Sequence, residues 1–336
     1  PGGNGHGCGH NLLGAGSLAA AAAVKEYLAA SGKPGTVVFF GCPGEEGGAA
    51  KAYMAREGLW YGLDAALTWH PSDTNEVSTG TNNSCIQVLY KFHGVAAHAA
   101  GDPHNGRSAL DAVELMNIGV NYLREHVADD VRMHYAYIDN GLPANVVPDF
   151  AKTNYFIRSS KRARTEDASR RVDDCARGAA MMTGTSVEIE LVGSCKEMKV
   201  NRVLAELYYD AMTRIPTPKY TQEELDFAAD VTREAGLASH GTYFAGLEPL
   251  EDAPVPISIG TDASEVSHTV PLITISAATM CKGTPLHHWA AAKQAGMSIG
   301  QKGMFYAARC MAEGTKLLLE KPEYLHKVWE CHKIDT

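Results

Sequence analysis

A chain of 336 residues with 45% apolar content can bury a large core, which excludes a disordered protein and suggests about two domains. Its 30 Lys and Arg stand against 39 Asp and Glu, a net charge of -9. That balance argues against nucleic-acid and anionic-membrane partners, which require a basic patch.

After a Gly-rich opening, the pattern predicts a helix over Leu12 to Ala30, a buried strand over Thr36 to Cys42, a helix over Ala49 to Glu57 and a strand over Ala65 to Trp69. Alternating β and α implies a mostly parallel sheet with helices on both faces. From Cys85 the pattern changes. A strand to His93, a helix from Ser108 to Val127, strands near His134 to Ile138 and Ala151 to Ile157, a helix from Glu166 to Met182 and a strand from Ser186 to Val192 give the order β-α-β-β-α-β. This is a ferredoxin-like unit, able to close on itself. Helices over Asn201 to Thr213 and Thr221 to Ala235, strands over Pro256 to Gly260 and Leu272 to Ser276, and a helix from Ala290 to Leu319 then resume the first domain. The expected α/β organisation is therefore residues 1–84 and 198–336 as one domain, interrupted by 85–197.

The one basic run, Lys161 to Arg164, reads as a solvated helix start. Eight scattered cysteines read as reduced thiols, not as a disulfide framework. No apolar run is expected to reach membrane-spanning length; Leu18 to Val24 is an alanine-rich helix interior. The chain begins at Pro1 without a Met, so an upstream segment is expected, and any targeting signal would lie there. A cytoplasmic location is the working expectation.

Four short motifs carry chemistry. In GHGCGHN, glycines let backbone approach an ion while Cys8 and His10 offer a thiolate and an imidazole. A phosphate cradle or a Cys–His nucleophilic pair would use similar geometry, but the P-loop Lys-Ser/Thr and a dinucleotide fingerprint are both missing. In GCPGEEGG, Glu45 and Glu46 follow a predicted strand, so one carboxylate can bind a metal while its neighbour takes a proton from water. His70 ends the strand of LTWHP, and His287 and His288 lie in the loop GTPLHHW. Taken singly, these residues read as a surface acidic pair and ordinary histidines. Together, all at predicted strand ends, they fit one two-metal cleft.

The stretches PGGNGHGCGHNLLG, GCPGEEGG, MAREG, DAALTWHP, GVAAHAAGDPHNGRSALDAV, NVVPD, GTDASEVS and GTPLHHW, in this order, resemble the amidohydrolase branch of the aminoacylase and carboxypeptidase type metallopeptidases. The resemblance runs over nearly the whole chain. It implies two divalent ions, manganese first and zinc as the alternative, held by Cys8, His10, Glu46, His70 and His287. Cys8 would bridge them, and Glu45 would be the general base. It further implies that the inserted unit is a lid and dimerisation domain of a homodimer, and that a related but different chain is a further partner. His98 would reach the partner's cleft to bind the carbonyl oxygen, and Asn145 and Arg158 would contact substrate. Arg107 and Asp262 are open between structural and supporting roles. The implied reaction is hydrolysis of an N-acyl amino acid, with p-aminobenzoyl-glutamate the expected substrate. Other N-acyl amino acids or dipeptides, a non-catalytic binder and a thiol hydrolase are the competing readings. Family members also carry upstream sheet strands and an Asp-rich motif.

Overall fold

The computed structural model describes residues 3–334 apart from 142, 238–242, 244, 258 and 259. In chain order its elements are α1 (His10–Ser31), α2 (Ala50–Arg56), β1 (Ala66–Ser72), β2 (Glu76–Ser78), β3 (Ser84–His93), α3 (Ala109–Leu123), β4 (Arg132–Asp139), β5 (Phe150–Ser159), α4 (Arg162–Thr183), β6 (Ser186–Cys195), α5 (Arg202–Arg214), α6 (Gln222–Glu234), α7 (Ala263–Ser267), β7 (Leu272–Ala278), α8 (Trp289–Ala295), α9 (Ser298–Glu320) and α10 (Glu323–Ile334). They form a mixed α/β structure with two sheets.

The smaller sheet has the order β1-β7-β2, with β7 parallel to β1 and antiparallel to β2. Parallel pairing among the described residues is thus confined to one strand pair, so this sheet is mixed and not mostly parallel. Its core unites Trp69, Ile273 and Ile275 with Leu12 and Ala20 of α1, Tyr208 of α5 and Met311 of α9. Helix α1 is long and apolar enough, by length and composition, to cross a membrane, which corrects the expectation that no segment is. Here its stripe of Leu12, Gly16, Ala20 and Val24 is buried. Gly16 is needed there, because a Cβ would lie 2.9 Å from the Trp69 indole.

The larger sheet, β4-β5-β3-β6, is antiparallel throughout. Alternation along β3 sends Ile86, Val88, Tyr90 and Phe92 toward Val113 and Met116 of α3 and Val172 and Ala176 of α4. The opposite face presents Cys85, Gln87, Phe156 and Arg158 to a cleft. Ser108 caps α3 by accepting from the Asp111 N–H, and the positive φ of Gly184 ends α4. The basic run forms the start of α4, as its composition suggested.

Two expected elements differ. Residues 36–42 form no strand, and Val38 and Phe39 are exposed. Their β-branched and aromatic side chains suit a strand, but a strand exists only through a ladder, and no described strand pairs with them. The long final helix is broken into α8 and α9 at Gly296 and Met297, and α10 follows it. At the break, Gly300 packs so tightly on the end of α8 that a Cβ would sit 2.8 Å from the Gln294 carbonyl oxygen. Of the strand expected over 256–260, Ser258 and Ile259 lie outside the described residues, and Pro256 and Ile257 carry no strand.

Helix α6 opens with a capping box between Thr221 and Glu224. Burial alone would push the Glu224 carboxyl up, but Lys302 Nζ at 2.6 Å, the Thr221 N–H and the Ser298 hydroxyl outweigh it and hold the group down to about 2. A carboxylate depressed in the folded state contributes stability above its unfolded pKa and loses it as pH falls toward 2. Glu224→Gln should therefore lower stability by about 2 kcal/mol at pH 7. Urea unfolding at pH 7 and at pH 3 should show that difference shrinking at the lower pH.

Candidate active site

Three overlapping groups of side chains have ligand atoms within 4.8 Å of one another: Cys8, His10 and His70; Cys8, Glu46 and His287; and His10, Glu45 and Glu46. They come from four separate segments, and His70 contributes from the carboxyl-terminal half of β1, the part of a strand near which open α/β sheets place ligands. The cleft they share, of about 2030 Å³, is also lined by Arg158 of β5.

Each segment has a local reason for its shape. Gly9 takes φ +71° to turn the chain from Cys8 into α1, leaving His10 as the helix's first residue. Its position admits no Cβ, since Pro71 would be 2.8 Å away. Opposite, the His287 N–H donates to the Gly7 carbonyl at 2.9 Å. His287 itself adopts φ +61°, an uncommon conformation for a residue with a Cβ. Gly7 lets the two strands of backbone approach, because a Cβ there would fall 2.9 Å from the His287 Cα. Gly7→Ala should displace His287 and weaken metal binding about tenfold or more, within the range that loss of a supporting contact to a ligand costs. Calorimetric titration of the metal-stripped variant checks this.

His70 is half-buried within β1, which runs on through Pro71 and Ser72 paired with β7 instead of ending at the histidine, and its Nδ1 lies 2.7 Å from the Pro71 carbonyl oxygen. A carbonyl can only accept, so Nδ1 carries the proton and Nε2 keeps a free lone pair for an ion. Burial lowers the pKa of this imidazole, which favours the same neutral form. His10 stands edge-on to it with ring centroids 5.5 Å apart, its Nε2 3.9 Å from Glu45 and its Nδ1 3.8 Å from Glu46. The Glu45–Glu46 turn starts at Gly44, φ +68°, whose carbonyl accepts from the Gly48 and Ala49 N–H groups. His287 Nε2 lies 3.3 Å from Glu46 Oε2. His288 is occupied otherwise: its Nδ1 accepts from the Ala290 N–H and caps α8. Geometry therefore selects His287 of the histidine pair as the one facing the cluster.

The donor set fits divalent cations. One thiol, three imidazoles and two carboxylates are gathered in these groups. The electrostatic cost shows at Cys8: burial first, then its hydrogen bond to Glu46 and the charges of Glu46 and Glu45, push this thiol up to about 12. A cation would reverse those effects, and its binding would release the thiol proton. Mixed S, N and O donors suit zinc and manganese alike. Among the described residues all eight cysteines are unpaired, as expected for reduced thiols.

The remaining expected residues fall in two places. Arg158 lies in the cleft, its guanidinium 5.3 Å from the Phe156 ring and its buried Nε without a hydrogen-bond partner. His98 and Asn145 are exposed and not part of the cluster. They nevertheless adjoin each other, since His98 bridges to Val146 and the Ala99 N–H donates to the Asn145 carbonyl. His98 Nδ1 accepts from the Ala100 and Gly101 N–H groups, which leaves Nε2 to carry the proton outward. Arg107 spends its guanidinium on the carbonyls of His104 and Gly106, a loop-holding role. Lys51, which sequence reasoning passed over, pairs with buried Asp262; a lysine in the first turn of a helix carried no distinguishing signal.

A family model described as peptidase family M20/M25/M40 matches residues 1–293. The chain is 40% identical over 360 aligned positions to one of the subunits of p-aminobenzoyl-glutamate hydrolase of Escherichia coli strain K12, covering 99% of this chain and 74% of that protein. It is 28% identical over 196 positions to a different subunit of the same organism's hydrolase, covering 56% of this chain and 44% of that one. In three dimensions it matches the aminobenzoyl-glutamate utilization protein from Klebsiella pneumoniae with a TM-score of 0.63, over 88% of this chain and 65% of that chain, at 19% identity. That last likeness is one of fold.

Proposed function

The chain belongs to peptidase family M20/M25/M40, and from that premise we propose that it is a two-metal amidohydrolase cleaving the bond between an acyl or aroyl group and an amino acid, with p-aminobenzoyl-glutamate as substrate. The observation that carries this is the convergence of Cys8, His10, Glu45, Glu46, His70 and His287 within 4.8 Å groups in one cleft. The substrate assignment is supported by the 40% identity to a chain of p-aminobenzoyl-glutamate hydrolase.

In this reading Cys8, His10, Glu46, His70 and His287 would hold two divalent ions, manganese by preference, and Cys8 belongs to both of the groups that contain His70 and His287. When bound, the ions supply Lewis acidity and an acidified water. Glu45 is the group left over from coordination. It takes the proton of the attacking water and returns it to the leaving amine nitrogen, so the amine departs neutral. Arg158 suits a carboxylate of the amino-acid product, because it lines the cleft and a guanidinium offers a planar fork of donors. Residues 85–197 act as a lid and dimerisation domain. Through it, Asn145 reaches the substrate, and His98 of a second copy donates from Nε2 to the carbonyl oxygen as negative charge develops there. The likeness to two different subunits of one hydrolase supports a further partner in a related but distinct chain.

The test is metal analysis of the purified protein combined with hydrolysis of a panel of N-acyl amino acids, before and after chelation. Chelator-sensitive release of p-aminobenzoate, restored by Mn²⁺, is expected. Hydrolysis that survives chelation but not thiol alkylation would instead establish a Cys8-dependent hydrolase.

A further inference from the structure

The Glu45–Glu46 turn leads directly into α2, whose N-cap Ala49 offers no side-chain acceptor and holds φ +48°. Its first turn is instead capped from elsewhere in the chain. Asp262 accepts from the Lys51 N–H at 3.0 Å with one carboxylate oxygen and from Lys51 Nζ at 2.6 Å with the other. The pair is well removed from solvent, with side-chain exposures of 1% for Asp262 and 16% for Lys51. Ion pairs this buried are costly unless their geometry is satisfied, so both oxygens being spent on one residue makes this a fixed joint.

Asp262 immediately precedes α7, and α7 has a second set of contacts. Glu265 accepts from the Lys196 N–H at 2.7 Å, Ser267 accepts from the Lys199 N–H at 3.0 Å, and His268 Nε2 lies 2.8 Å from the Glu197 carbonyl oxygen. Residues 196–199 are the segment by which the chain leaves β6 and the larger sheet. One five-residue helix thus joins the carboxylate turn to the exit of the four-stranded unit.

We propose that Asp262 is a positioning residue: through its two-point hold on Lys51 it fixes the Glu45–Glu46 turn against His10 and His287, with α7 as the bracket that ties this turn to residues 196–199. The inference rests on the two-metal reading and extends it to residues that touch neither ion nor substrate. Loosening the joint leaves the imidazoles and thiol in place but lets the carboxylates drift, so metal affinity and kcat fall while substrate affinity, set elsewhere in the cleft, does not.

The experiment compares wild type, Asp262→Asn, Glu265→Gln and the double variant Lys51→Met with Asp262→Leu. Each metal-stripped protein is titrated with Co²⁺, followed by its visible absorption, at a temperature well below the measured Tm. Asp262→Asn should bind Co²⁺ at least tenfold more weakly and lose kcat with KM changed less than threefold. Glu265→Gln, which loosens the bracket at residues 196–199 but keeps the Asp262–Lys51 joint, should lower Tm and weaken Co²⁺ binding by less than Asp262→Asn does. The double variant removes both buried charges and should recover Tm but not Co²⁺ affinity. Recovery of affinity together with Tm, or wild-type affinity in Asp262→Asn, would overturn the proposal. A wild type that takes up no Co²⁺ would instead overturn the two-metal reading beneath it.

Discussion

Glu45→Gln should leave the ions bound and lower kcat by about 10²- to 10⁴-fold, the range that a positioned general base contributes. The reasoning is geometric. Glu45 appears in one of the three ligand groups, beside Glu46 and with His10 at 3.9 Å, whereas Glu46 lies near both His10 and His287 and appears in two. An amide of the same shape keeps the turn intact but cannot accept a proton. The measurement is metal content by mass spectrometry beside single-turnover hydrolysis. Loss of metal in step with loss of rate would reassign Glu45 as a ligand, and full turnover would remove it from the reaction.

Cys8→Ala should do the opposite, weakening metal binding severely and lowering activity in step with it. Cys8 belongs to two of the ligand groups and is the member that links His70 to His287. Its loss should cost more than the roughly 10- to 100-fold in affinity that a group merely supporting a ligand contributes. Because the thiol of the metal-free protein sits near 12, the wild type must expel a proton to bind, and its apparent affinity should rise with pH across the neutral range. In Cys8→Ala that component of the pH dependence should vanish. Titrations at pH 6.5, 7.5 and 8.5 separate the two proteins, and a wild-type affinity indifferent to pH would contradict thiolate ligation.

The cluster was legible in the sequence because its members sit in motifs with few structural uses. Alternating glycines around Cys8 and His10, a Pro-Gly before two glutamates, and a histidine at the end of an apolar strand each mark a place where backbone turns toward a ligand. The unit from β3 to β6 was legible for a different reason: its central strands β3 and β5 alternate buried and half-buried residues with period two, and its helices carry an apolar stripe. Residues 36–42 misled because Val37, Val38, Phe39 and Phe40 have strand propensity, and propensity is silent about whether a partner is present. The break at Gly296 was hidden because α8 and α9 share one apolar period and only tight packing at Gly300 separates them. The family resemblance pointed to His287 over His288; the residues alone left the two open, being adjacent and identical, and the capping bond of the second now distinguishes them. Lys51 and Asp262 lie 211 positions apart, beyond the reach of any local pattern.

The alternation along β1 has one more consequence. It turns Trp69 wholly into the interior, where the indole N–H donates to the Leu13 carbonyl beneath α1, and turns the very next residue, His70, into the cleft. A fluorophore is therefore bonded through one peptide unit to a residue of the cluster and wedged against the helix that presents another. Events at His70 should change the Trp69 share of the emission from the chain's four tryptophans.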